Sequence, residues 1–218
     1  MKRKTTLIAI QVIAGAGLIA LAWWAYSLIS TPLKFKSEHE ERRRVVVEKI
    51  KIIRTAERQY RAHTGEFTGD WPTLIKFVLT GKNKYIYKHA DENDSLKYLE
   101  VQTKWEKKHP GKKFKNEEER EYSVRDSLFK NMSDEDIKNL CYIPYTKNQV
   151  MFELEAGVSS NGLPVVECRA LYKHFLDTVN YRQEVINFIK DKLKKEEYPG
   201  VKFGDITKNN NEAGNWEE

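Results

Sequence analysis

No charged residue occurs between Lys4 and Lys34, and a chain with so long an apolar run has few places to put it. As a helix, residues 5–33 extend about 43 Å at 1.5 Å per residue, enough to cross a hydrocarbon core of about 30 Å with interfacial turns to spare. The run therefore reads as a transmembrane anchor, residues 1–33. Lys2, Arg3 and Lys4 place the N-terminus in the cytoplasm by the positive-inside rule. Trp23, Trp24 and Tyr26 suit the opposite interface, where amphipathic rings prefer the headgroup level. A cleavable secretory signal is the alternative, because Ala20-Leu-Ala22 has the small-x-small shape of a cleavage site. The run continues past it through Ile29, which is long for a signal and right for a span.

The remaining chain, residues 34–218, suffices for one domain with a core. The formal charge of +6 in 218 residues suggests nucleic acid until it is divided. Residues 1–33 hold three basic residues and no acidic one, leaving 35 basic against 32 acidic after them. Most basic runs also have acidic neighbours, as in Glu38-His-Glu-Glu-Arg-Arg-Arg44, so no nucleic-acid partner is expected.

Ser37–His63 has the periodicity of an amphipathic helix beginning after a break or kink at Pro32. Val46, Ile50, Ile53 and Tyr60 form one apolar stripe, with Arg54, Arg58 and Arg61 opposite. Glu40–Arg44 and Glu57–Arg61 are spaced as i,i+4 ion pairs. Gly65 stops this helix; Asp70 caps a second one that carries Pro72 in its first turn and ends at Gly81. Tyr85–Tyr87 suits a short strand. Residues 89–131, dense in Lys, Glu and Asp, read as a charged insertion with helices over 94–108 and 116–130, broken at His109-Pro-Gly111. Ser133 and Asp136 make a capping box. Strands are expected over 140–145, from Val150 through Leu154, and over 164–172, the last two forming a hairpin across the turn Ser159-Ser-Asn-Gly162. A helix over 180–196 and a strand over 201–206 follow. Residues 209–218, poor in apolar side chains, read as an unpacked tail.

No catalytic signature is present: the chain lacks H-E-x-x-H, G-x-S-x-G, a phosphate-cradling glycine loop and C-x-x-C. No enzyme activity, cofactor or metal is expected. Five scattered histidines lack ligand spacing, and Asp91–Asp94 does not match a calcium loop. Cys141 and Cys168 lie in apolar segments and make either one disulfide or two separate buried thiols. In the anchor, Ala16 and Ala20 have small-xxx-small spacing and Gln11 adds a polar amide, a face able to dock another membrane helix.

The order of anchor, long amphipathic helix and small antiparallel sheet resembles the type IV pilin and pseudopilin architecture. Arg54-Thr-Ala-Glu-Arg-Gln-Tyr60 followed by Thr64-Gly-Glu-Phe67 looks like the end of a pilin helix and its turn. The cleavage glycine and the acidic residue of prepilins are missing. A group of single-pass envelope proteins of Gram-negative bacteria is similar over most of the chain after residue 34. The match runs through Arg54-Thr-Ala56, Thr73-Leu-Ile-Lys-Phe-Val78, Val124-Arg-Asp-Ser-Leu-Phe129, Tyr142-Ile-Pro144, Tyr198-Pro-Gly-Val-Lys-Phe-Gly204 and Asn209-Asn-Asn-Glu-Ala-Gly-Asn-Trp216. That resemblance implies an α+β, pilin-like periplasmic domain, residues 34–208, anchored in the inner membrane and partnered with ExbB-, ExbD- or TonB-like motor subunits that drive outer-membrane transport. A pseudopilin of a secretion or pilus machine, or a periplasmic enzyme or ligand-binding domain, are the alternatives.

Overall fold

The computed structural model describes the backbone of residues 2–217 and the side chains from Ile13 onward except Leu28. Of the break or kink expected at Pro32, the break does not occur. A single helix, α1 (Lys2–Thr64), runs through it. Proline costs a helix interior about 3 kcal/mol, through its missing N–H and its ring's clash with the carbonyl four residues back, and the Glu-, Arg- and Lys-rich stretch that follows favours continuation. At the far end Gly65 takes φ +89° and donates its N–H to Arg61 O at 2.8 Å, the expected stop.

Helix α2 (Trp71–Thr80) starts where Asp70 accepts from Thr73 N–H and ends where Gly81 N–H bonds Phe77 O. Strand β1 (Lys82–Lys88) then leaves the core, α3 (Ser95–Lys108) caps the excursion, and β2 (Glu117–Ser123) returns antiparallel to β1. Asp91, weighed above for calcium, accepts from Asn93 N–H in the turn before Asp94 caps α3.

The helix expected over 116–130 is therefore a strand followed by the short α4 (Val124–Leu128). Its glutamates are helix formers by propensity, but the lysines of β1 offer them a cross-strand ladder: Lys82–Glu121 at 3.6 Å, Lys84–Glu119 at 3.0 Å and Lys88–Glu117 at 2.9 Å. The charged insertion is thus an arm whose strands start at residue 82. Asn83 anchors its base, donating from Nδ2 to Gln59 Oε1 on α1 at 2.8 Å.

Helix α5 (Asp134–Lys138) begins with the Ser133–Asp136 capping box. Residues 140–145 do not form the expected strand; they contribute one bridge, Tyr142 to Met151, because Tyr145, Lys147 and Asn148 turn the chain through positive φ. The main sheet is β3 (Glu153–Val158), β4 (Pro164–Leu171) and β5 (Gly200–Gly204), all antiparallel with β4 central. Between β4 and β5 lie α6 (Tyr172–Phe175) and α7 (Arg182–Lys194).

Val46, Ile50, Ile53 and Ala56 of α1 are fully buried in one core with Leu74, Val78, Phe152, Cys168 and Phe203, and Tyr60 packs at its edge. On the sheet's other face Glu155 stands opposite Glu167, a like-charge pair. Arg169 bonds Glu153 at 3.1 Å, Glu167 at 3.4 Å and also Glu155, while Lys202 reaches Glu167 at 2.8 Å, which neutralises the repulsion.

Residues 209–217 are not an unpacked tail. Gly204 N–H donates to Ala213 O at 3.0 Å and Asn215 N–H to Lys202 O at 3.0 Å, so the segment covers the free edge of β5. Glu212 is buried and takes Arg58 at 3.0 Å and Arg61 at 3.5 Å, while Arg54 bonds Glu217 at 2.7 Å and lies over the Trp216 ring. Low apolar content did not predict docking because the attachment is made largely by charge and backbone, with Trp216 packed against the core.

Candidate functional site

Three features of α1 carry chemistry. The first is Glu57, which falls in the register of the apolar stripe (46, 50, 53, 57, 60) and faces the core with no solvent exposure. Its Oε2 accepts from Thr68 N–H at 3.0 Å, and Oε1 has no partner. Burial pushes its carboxyl up to about pH 8, against the smaller pull of the Thr68 N–H, so it is protonated at neutral pH. The i,i+4 partnership with Arg61 does not form, because Arg61 turns outward to Glu212. Glu40–Arg44 is likewise replaced, by Glu38–Arg42 at 2.7 Å. The stripe's own periodicity was the signal that Glu57 points inward.

The second feature is a concavity of about 440 Å³ beside the first turns of α1 beyond the apolar run, lined by His39, Arg43, Tyr172, Phe188, Lys192 and Lys202. His39 is only 8% exposed, its ring 4.4 Å from Phe188 and 5.6 Å from Tyr172, and its Nε2 has no hydrogen-bond partner. Burial lowers its pKa, so the ring is neutral at pH 7. Two of the cations are already engaged, Lys192 by Glu197 and Lys202 by Glu167. Among the described residues no serine, threonine or cysteine is hydrogen-bonded to a histidine, and no group of His, Cys, Asp or Glu is arranged to hold a metal ion.

The third is the apolar half of α1. It is long and apolar enough to cross a membrane, and none of its apolar window is buried against the domain. Ala16 and Ala20 are exposed on it; the side chain of Gln11 lies outside the described residues. Among the described residues, Ala16 and Ala20 are left uncovered by the rest of the chain.

Cys141 and Cys168 are both buried and unbridged, so of the two alternatives the structure has separate thiols. Cys168 sits mid-strand in β4, paired with Leu154 and Phe203, and burial holds its thiol pKa well above the usual value. A thiol so protected is unreactive. Comparison with models of known protein families, with curated proteins and with solved structures finds no match to this chain.

Proposed function

We propose that the protein is a non-enzymatic subunit anchored in the bacterial inner membrane, its N-terminus cytoplasmic and its pilin-like domain periplasmic. It works by contact with ExbB-, ExbD- or TonB-like motor subunits that drive outer-membrane transport. The observation that carries this reading is the continuity of α1, which supplies both the candidate span and the central core helix of the domain. A displacement or tilt of the span is then delivered to the domain with no loop in between to absorb it. The exposed face bearing Ala16 and Ala20 offers close backbone approach to a second membrane helix. The pseudopilin reading is favoured by one feature, the packing of a long N-terminal helix on a small antiparallel sheet.

The test is partner recovery from mild detergent. Ala16→Leu with Ala20→Leu keeps the segment apolar but fills the space a partner backbone would occupy; Ala14→Leu with Ala25→Leu does the same at other exposed positions. Loss of ExbB- or ExbD-like partners from the first double variant alone is the expected result. Equal recovery from both would reduce the span to a tether.

A further inference from the structure

The arm contains a second kind of site. A cavity of about 800 Å³ opens between α3 and β2, lined by Lys108, Lys112, Lys113, Lys115, Arg120 and Trp105. Its two carboxylates are already engaged. Glu117 bonds Lys88 at 2.9 Å, and Glu118 bonds Arg120 at 2.8 Å with His89 3.4 Å away. Among the described residues Lys108, Lys112, Lys113 and Lys115 have no carboxylate within ion-pair distance. This departs from the rest of the arm, where Lys82, Lys84 and Lys88 of β1 each meet a glutamate across the strand pair. It follows from the sequence, since Lys107-Lys-His-Pro-Gly-Lys-Lys-Phe-Lys115 contains no acid.

Lys107 and Lys108 have an ordinary explanation, because cations in the last turn of a helix complement its dipole. Lys112, Lys113 and Lys115 lie beyond the helix and do not. Their charge meets no carboxylate within ion-pair distance, in a segment that is held in place. His109 stacks on Trp105 at 4.3 Å, and Phe114 wedges against Trp105, Tyr98 and His89 at 5.8, 5.6 and 5.9 Å. Gly111 at φ +84° makes the turn, and Lys112 N–H closes it on His109 O at 3.2 Å. Lysines presented by a braced loop around a concavity are preorganised for an anion, so a ligand does not have to order the loop.

The geometry points to a binding site for a compact polyanion, one bearing two or more phosphate groups on a small scaffold. Lysine ammonium groups bind phosphate as point charges. The volume is that of a small-molecule site, larger than one phosphate can bridge, and the cleft is open to solvent on one side. The shared chemistry is clustered phosphate ester, carried by a soluble molecule or by a lipid headgroup. The site does not depend on what the membrane helix docks against.

The test uses the full chain in uncharged detergent micelles and inositol hexakisphosphate as the probe, followed by calorimetry. The expected result is one site whose affinity falls as salt rises. Lys112→Glu, Lys113→Glu and Lys115→Glu together should weaken binding at least about a hundredfold, since each lost lysine contact is worth about fivefold. The corresponding Gln triple should fall between that variant and the unaltered chain. Lys190→Glu, Lys194→Glu and Lys195→Glu, on exposed positions at the end of α7, change the net charge equally and should cost less than about threefold. Far-UV circular dichroism confirms that each variant is folded. Doping the micelles with cardiolipin then separates the sources: displacement of the probe assigns a lipid headgroup, and no displacement a soluble ligand. Failure of the unaltered chain to bind the probe, or equal losses from the two Glu triples, would overturn the site.

Discussion

Glu57→Gln tests the electrostatics of the core most directly. The folded carboxyl keeps its proton to about pH 8, whereas an unfolded one releases it near 4.5. Between those values the folded state binds more protons than the unfolded state, so this group's contribution is fully present below pH 4.5 and is lost as pH rises toward 8. Integrating that difference, Glu57 costs the fold about 1 kcal/mol at pH 5, about 3 kcal/mol at pH 7 and about 4 kcal/mol at pH 8. Glutamine keeps an oxygen for the Thr68 N–H, puts an uncharged group where Oε1 has no partner, and cannot ionise. Urea melts of the full chain in detergent, followed by circular dichroism at pH 5, 7 and 8, should therefore show the variant gaining over the unaltered protein by a margin that grows with pH. Groups common to both proteins cancel in that difference. Near pH 4 the two should agree within about 1 kcal/mol. A margin independent of pH, or a variant less stable at pH 8, would show that Glu57 is hydrated or paired and refute the reasoning.

Ile53→Ala truncates a fully buried side chain and should cost about 2–5 kcal/mol in the same melts; a loss under about 0.5 kcal/mol would mean that the stripe is not in the core. Glu212→Gln weakens the hold on Arg58 and Arg61, and because both arginines are substantially exposed the loss should be only about 0.5–1 kcal/mol. Truncation after Lys208 should instead be read by hydrogen exchange: the amides of Lys202 and Gly204, bonded to Asn215 Oδ1 and Ala213 O, should lose protection, and unchanged protection would show that the segment is not docked. A thiol reagent should label neither cysteine in the folded protein and both after denaturation without reductant, whereas a disulfide would yield no thiol at all.

What was legible in the sequence is what neighbours along the chain decide. The apolar run, the stripe Val46–Ile50–Ile53, the caps at Asp70 and Ser133, the stop at Gly65 and the hairpin of β3 and β4 all depend on residues within a few positions of each other. Helical and strand periodicities report such terms directly. Ambiguity began where two local terms competed. The glutamates of β2 favour a helix by propensity and a strand by their fit to the lysines of β1, and only the register of a segment some 30 residues earlier settles which wins. Glu57 is similar, since its type argues for water and its position for the core; burial of the stripe prevails and keeps the carboxyl protonated. The cleft of the arm combines the two: its lysines stand side by side in the sequence, but the paired strands and the Trp105–His109–Phe114 cluster give them their concave setting. Residues 209–217 and the two cysteines were beyond sequence reasoning, because Arg58 meets Glu212 across 154 positions and whether two thiols meet is a matter of distance in space. The sequence by itself determined the apolar run, the buried stripe of α1 and the hairpin of β3 and β4, through short-range periodicity. Tertiary structure alone decided which charges are buried, paired or left free, because those energies depend on partners that only the fold brings together.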